Sequence, residues 1–164
     1  MTLMQRAIEI IYPNQCAYCD SLVGETAGLC ASCWRDTHFT TGHVCDLCAT
    51  PLLGQGDGTR DHCDECLEAS RPWSRGRAAL QYDGIGRKLV LSLKYGDRTD
   101  HAASAGRWMA HAGADILTAE TVLVPVPAHW RRLLSRRYNP AVELTKVIGR
   151  IAGCTTVLGA LRRH

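Results

Sequence analysis

The sequence predicts a two-part fold, a small metal-stapled ribbon region over residues 1–70 followed by an α/β domain over 71–164, and three observations carry that prediction. Four Cys-x-x-Cys pairs fall between Cys16 and Cys66. Large apolar side chains are too few before residue 70 for a self-sufficient core, the usual situation in which a metal substitutes for burial. Past Ser70-Arg71-Pro72-Trp73 the hydrophobic pattern changes to alternating strand-like and helix-like stretches.

In chain order, Leu3, Met4, Ala7, Ile8, Ile10 and Ile11 share one helical face, predicting a short amphipathic helix that ends before Tyr12-Pro13-Asn14. Its polar face holds a single basic residue, Arg6, which argues for packing against the protein and against a membrane surface. The four pairs follow: Cys16-Ala-Tyr-Cys19, Cys30-Ala-Ser-Cys33, Cys45-Asp-Leu-Cys48 and Cys63-Asp-Glu-Cys66. A two-residue spacer lets one tight turn aim two sulfurs at one ion, and Zn²⁺ takes four such ligands in a tetrahedron at about 2.3 Å. Eight thiols thus predict two closed structural zinc sites, with no open position for water or substrate. Ten residues separate Cys19 from Cys30 and fourteen separate Cys48 from Cys63, which suits two consecutive ribbons. An interleaved pairing, with Cys16, Cys19, Cys45 and Cys48 on one metal and the remaining four on the other, has the same ligand count and stays open. His38, His43 and His62 are surplus to both shells and read as loop residues. Pro51 to Gly58, with three glycines, is the long loop of the second ribbon.

A disulfide framework would need an oxidising compartment, and Met1 to Gln15 has neither an uninterrupted apolar core nor a small-residue cleavage site. The expected location is a reducing cytoplasm. A thioredoxin-like redox site uses one Cys-x-x-Cys at a helix start, whereas four in about fifty residues are metal knuckles. Cys154 sits alone in the apolar run Ile151 to Leu158 and reads as packing. No stretch approaches the ~20 apolar residues of a membrane span, so no membrane insertion is expected.

The second part begins with Arg77 to Tyr82 as a strand closed by Asp83-Gly84, then a helix over Gly86 to Tyr95 and a helix through Ala114 capped by Asp100. Thr121 to Val126 is a continuous apolar run of the kind buried in a parallel sheet. A helix from about Pro140 to Ile151 and a strand near Thr155 to Leu158 complete the pattern. Ligands in such sheets bind beyond the carboxyl ends of the strands. The segment leaving the 121–126 strand, His129 to Asn139, gathers Arg131, Arg132, Arg136 and Arg137. Guanidinium forks match phosphate oxygens, and the helix opening at Pro140 adds backbone donors.

The net charge of +3 hides a polarity along the chain. Residues 1–70 carry three basic and ten acidic side chains, a net of −7, while residues 71–119 carry +4 and residues 120–164 carry +6. Two zinc-loaded four-thiolate sites would bring the ribbons to about −11 and the chain to about −1. Acidic ribbons are poor phosphate binders, so an anion site belongs in the basic half.

Five motifs stand together in this chain: Tyr12-Pro13 before the first pair, the four pairs in order, Leu93-Lys94-Tyr95-Gly96-Asp97, Val124-Pro125-Val126-Pro127 and Arg136-Arg137-Tyr138-Asn139-Pro140-Ala141. As a set they resemble the ComF family of competence-associated proteins, which join a double zinc ribbon to a phosphoribosyltransferase-type domain. The family usually has Arg-Gly-Phe-Asn where this chain has Arg136 to Asn139, so a glycine is lost from the loop. The resemblance implies an incomplete type I phosphoribosyltransferase-like parallel sheet, with phosphoribosyl pyrophosphate bound by Arg131, Arg132, Arg136, Arg137, Tyr138 and Asn139 and Mg²⁺ accompanying it in the complete protein. It also implies partners in single-stranded DNA uptake and the competence machinery. Phosphoribosyltransferases grip the ribose phosphate with an acidic pair before Thr-Thr-Gly, and the one adjacent acidic pair here, Asp64-Glu65, lies in a metal knuckle. The chain therefore resembles an N-terminal portion, inactive alone, whose sheet has an exposed apolar edge. The alternative function is a non-catalytic zinc-ribbon module that binds nucleic acid or a protein partner.

Overall fold

The computed structural model describes residues 13–24, 28–56, 58–96, 98–136 and 138–163. The amphipathic helix expected over residues 3–11 lies outside the described residues.

The cysteine-rich region folds as two ribbons on one plan. The backbone N–H of Cys16 donates to Ser21 O at 2.8 Å and that of Asp20 to Cys16 O at 3.1 Å, closing a turn around the first pair. In the second ribbon Cys45 N–H donates to Thr50 O and Ala49 N–H to Cys45 O, both at 2.8 Å. Asp20 and Ala49, each one residue past the second cysteine, both have positive φ, 57° and 64°. A non-glycine residue there costs roughly 1–2 kcal/mol, so the turn is held by what it closes around. An antiparallel bridge follows in each, Gln15 with Leu22 and Val44 with Pro51. Each ribbon ends in a one-turn helix, α1 (Ala31–Arg35) and α2 (Asp64–Glu68), with a cysteine at the N-cap, Cys30 and Cys63.

The segment expected as a strand over Arg77–Tyr82 stays with the ribbons. Leu80 bridges Phe39 antiparallel, with Thr40 N–H on Ala79 O at 3.0 Å and Gln81 N–H on His38 O at 2.9 Å. Upstream, Gly76 N–H donates to Asp46 O at 2.8 Å, and a Cβ at Gly76 would collide with Leu47 O. Only glycine allows that approach, and it holds the following residues against the second ribbon and away from the sheet.

Helix α3 (Gly84–Tyr95) buries Ile85, Leu89 and Leu93, one residue per turn, and Ile85 and Leu89 close over Cys16 and Cys33 with Leu80 and Trp108 alongside. Helix α4 (His101–Ala112) ends two residues short of the expected Ala114, at Gly113. Asp100 precedes it but makes no side-chain cap. Its carboxylate is taken by Arg98 Nη2 at 3.1 Å, a charge-assisted bond that outcompetes a cap to backbone N–H.

Strands β1 (Val122–Leu123) and β2 (Thr155–Thr156) pair in parallel, Val122 with Thr155 and Leu123 with Thr156. They are joined through α5 (Trp130–Arg136) and α6 (Pro140–Ala152). The expected 121–126 strand is cut to two paired residues because Pro125 and Pro127 have no N–H to give a ladder. Helix α6 opens on Asn139, whose Oδ1 accepts from Ala141 N–H at 3.0 Å, with Pro140 in its first turn, and closes on Gly153 at φ 68°. A Cβ at Gly106 would strike Val147, so α4 and α6 meet backbone to side chain. Val122, Val126, Val157 and Leu158 are exposed along the two-stranded sheet.

Candidate metal centres and the groove at the strand ends

The eight knuckle cysteines gather into two clusters, Cys16, Cys19, Cys30 and Cys33 in one and Cys45, Cys48, Cys63 and Cys66 in the other, with the sulfurs of each within 4.8 Å of one another. The consecutive pairing is therefore the one formed, and the interleaved arrangement is not. Cys19 Sγ lies 3.7 Å from Cys30 Sγ and Cys48 Sγ lies 3.6 Å from Cys63 Sγ. A tetrahedron with 2.3 Å bonds has edges of about 3.8 Å, so the donor sets fit zinc with little adjustment.

Hydroxyls sit at equivalent places in both: Ser21 Oγ is 3.1 Å from Cys19 Sγ, and Thr50 Oγ1 is 3.1 Å from Cys48 Sγ. In the first cluster the Ser32 hydroxyl is the leading group that draws the Cys30 thiol down to about 5, while burial pushes Cys33 well up. In the second, burial raises Cys45, but backbone N–H groups at Cys63, Cys48 and Leu47 outweigh it and bring that thiol down to about 6. The Cys66 N–H pulls Cys63 down, yet burial and the Cys48 sulfur leave it at about 12. Four sulfurs this close resist sharing negative charge, and a dication removes the conflict by deprotonating all of them.

Two of the three surplus histidines pair with carboxylates outside the sulfur clusters. His38 Nδ1 lies 2.8 Å from Asp83 Oδ2, and His43 Nε2 lies 2.7 Å from Asp61 Oδ2. Cys154 is buried, and its thiol donates to Thr118 O at 3.3 Å.

Beyond the C-terminal ends of β1 and β2 lies an open groove of about 310 Å³, with Pro125, Trp130, Leu158 and Leu161 on its apolar walls and Asn139, Arg162 and Arg163 among its polar ones. The expected arginine loop is largely helical, since α5 carries Arg131, Arg132 and Arg136; Arg137 lies outside the described residues. The Arg131 guanidinium stands 5.3 Å over the Trp130 ring, whose other neighbour is a stacked His129 at 5.7 Å. Tyr138 OH donates to Leu93 O at 2.6 Å, tying the segment to α3. Asn139 Nδ2 donates to Val126 O at 3.1 Å while its Oδ1 caps α6, so this side chain shapes the groove floor. Arg162 and Arg163 were not anticipated. The signal for them is an adjacent basic pair just past β2, the position the arginine segment occupies relative to β1. Among the described residues the sulfur clusters are the only groups of three or more His, Cys, Asp or Glu side chains placed to hold a metal ion.

Residues 7–73 match the family profile of the double zinc ribbon domain. No curated protein and no solved structure matches the chain.

Proposed function

We propose that this chain is a ComF-like protein in which a two-zinc ribbon head is fused to a ligand-binding α/β part, the chemistry dividing near residue 70. The head binds two structural Zn²⁺ and carries no catalysis. The basic half takes phosphoribosyl pyrophosphate in the groove beyond β1 and β2, through the arginines of the segment that follows β1 in sequence, Arg131, Arg132, Arg136 and Arg137, together with Arg162 and Arg163 past β2. Tyr138 and Asn139 hold the loop in place. Mg²⁺ arrives with the ligand. The setting is the cytoplasmic handling of single-stranded DNA during uptake, with transfer chemistry dependent on an acidic pair directly followed by Thr-Thr-Gly, a contiguous motif that these residues do not include: Thr40-Thr41-Gly42 follows no acidic pair.

The observation that supports this reading is the groove at the mouth of the parallel strand pair, walled by Asn139, Arg162 and Arg163 and bordered by Trp130 and Leu133 of α5, the helix whose sequence carries Arg131, Arg132 and Arg136. Two measurements test it. Metal analysis should return two zinc ions per chain, and one or none removes the head's role. Calorimetric titration with phosphoribosyl pyrophosphate should give a signal that falls at least tenfold in affinity in Arg131→Ala and Arg162→Ala; no binding to the wild type overturns the ligand assignment.

The exposed Trp130 and Arg131, with the half-buried His129 stacked alongside, favour a second reading, a non-catalytic surface for single-stranded nucleic acid. Affinity for an oligonucleotide would then fall with salt by a log-log slope of roughly 0.7 per phosphate neutralised, and a flat response excludes it.

A further inference from the structure

Asp46 stands inside the second knuckle, between Cys45 and Cys48, and is fixed on every side. Its N–H donates to Asp61 O at 2.8 Å, its carbonyl accepts from Gly76 N–H at 2.8 Å and from Arg77 Nη1 at 3.2 Å, and its side chain is 8 % exposed. Oδ1 of its carboxylate accepts from Arg75 Nη2 at 3.2 Å and from Arg77 Nη2 at 2.6 Å. The same two guanidinium groups reach Asp115: Arg75 Nη2 and Arg77 Nη2 each lie 2.6 Å from Asp115 Oδ2, and Arg75 Nη1 donates to Asp115 O at 3.2 Å. Asp115 belongs to the turn between α4 and β1. That turn is compact: Leu117 N–H donates to Gly113 O at 3.0 Å, Thr118 N–H to Thr121 Oγ1 at 2.9 Å, and Thr121 Oγ1 to Ile116 O at 3.3 Å. The next residue is Val122, the start of β1.

We propose that metal occupancy of the second cluster is transmitted through Asp46, Arg75, Arg77 and Asp115 to the 113–121 turn, so that zinc at this cluster sets the order of the segment that feeds β1 and the groove mouth. The aspartate can hold both arginines only while the knuckle is closed, and the knuckle is closed by the metal. Open it, and Arg75 and Arg77 lose the buried carboxylate: what is left is the half-exposed Asp115 and, for Arg77, the carbonyl of the adjacent Gly76 at 2.7 Å, contacts too solvated or too local to fix the turn. The coupling does not depend on which ligand the groove takes. It is also reciprocal: whatever loosens the turn must weaken metal retention at the second cluster by the same factor, and leave the first alone.

The test uses zinc-loaded protein and two readouts resolved by peptide mass spectrometry, amide hydrogen exchange and the rate of cysteine alkylation. Asp46→Asn should keep two zinc ions and speed exchange across residues 113–123 at least roughly fivefold. Asp115→Asn, a mild change at a half-exposed site, should label Cys48 and Cys63 roughly five- to tenfold faster while Cys19 and Cys30 keep the wild-type rate. Unchanged labelling at Cys48 and Cys63, or equal acceleration at all four, overturns the proposal, as does wild-type exchange at 113–123 in Asp46→Asn.

Discussion

The first ribbon lays Cys16 and Cys33 directly onto Ile85 and Leu89 of α3, with Trp34, Phe39 and Trp108 closing an aromatic cluster alongside, whereas the second ribbon is joined to the rest of the chain through Asp46, Arg75, Arg77 and Asp115. One knuckle plan is thus attached in two ways. The first attachment is apolar, directionless and part of a core. The second is ionic and directional, reinforced by Trp73 Nε1–H donating to Leu47 O at 2.7 Å and by the close approach at Gly76. An apolar anchor makes metal binding and helix packing a single folding event, because the sulfur ligands Cys16 and Cys33 are themselves core residues. The ionic anchor leaves the second ribbon removable while specifying where one turn stands.

The largest effect that separates the two anchors is loss of metal. Cys16→Ser and Cys45→Ser should each lose one zinc, but only the first should also melt α3, since it opens the α3 core cluster. Structural zinc in small domains contributes an apparent ~10–16 kcal/mol of binding, so the affected ribbon should be fully unfolded. Far-UV circular dichroism melts compare them, and equal loss of helix in both variants would break the distinction. Next is Leu89→Ala, which removes a side chain 4 % exposed from the contact with the first ribbon. A cost of about 2–5 kcal/mol is expected in urea unfolding, with thiol labelling faster at Cys19 and Cys30 and unchanged at Cys48 and Cys63.

Much of this asymmetry was closed to sequence reading, and for a physical reason. The sulfur ligands were legible because Cys-x-x-Cys is a local geometry, fixed by four consecutive residues and a metal. The helix at Pro140–Ala152 was legible because Asn139, Pro140 and Gly153 punctuate it, and the parallel pairing of the two apolar runs followed from the α/β alternation. Asp46, Arg75, Arg77 and Asp115 meet only in three dimensions, and nothing local in Cys45-Asp-Leu-Cys48 marks its aspartate as an anchor. The 77–82 stretch had strand character and found a strand-like partner, but Gly76 set it against Phe39 and not against β1. The prolines at 125 and 127 are plain in the sequence, and each lacks the N–H that a longer ladder would need. Arg162 and Arg163 reach the groove only because β2 runs parallel to β1 and delivers them to the same end.

Asp46→Asn is the counterpart of Leu89→Ala on the other ribbon, and a smaller cost is expected. Removing one member of a fully buried ion pair costs about 3–5 kcal/mol, but here Arg75 is 28 % and Asp115 48 % exposed, so water takes over part of the arginines' needs and about 2 kcal/mol is the reasonable figure. Urea unfolding with zinc retained measures it, and a cost equal to that of Leu89→Ala would mean the two anchors are not different in kind.

Salt should give the smallest and most selective effect. Between about 0.05 and 1 M the screening length falls to roughly 3 Å, shorter than most of the charge separations around Asp46 beyond its direct contacts. The second ribbon's amide protection should drop by a modest factor, under about 1 kcal/mol, because the closest guanidinium contacts on Asp46 are shielded from solvent. The first ribbon, resting on Ile85 and Leu89, offers salt little to screen at that contact, where Lys88 Nζ stands 4.8 Å over the Tyr18 ring; its outlying ion pair, Arg98 with Asp20 at 3.4 Å, is exposed and contributes little. Kosmotropic sulfate in place of chloride sharpens the contrast, since excluded salts strengthen apolar burial while still screening charge. Protection should then rise around Cys16 and Cys33 and fall around Asp46 in the same sample, and movement of both ribbons in one direction would show that a shared anchor holds them.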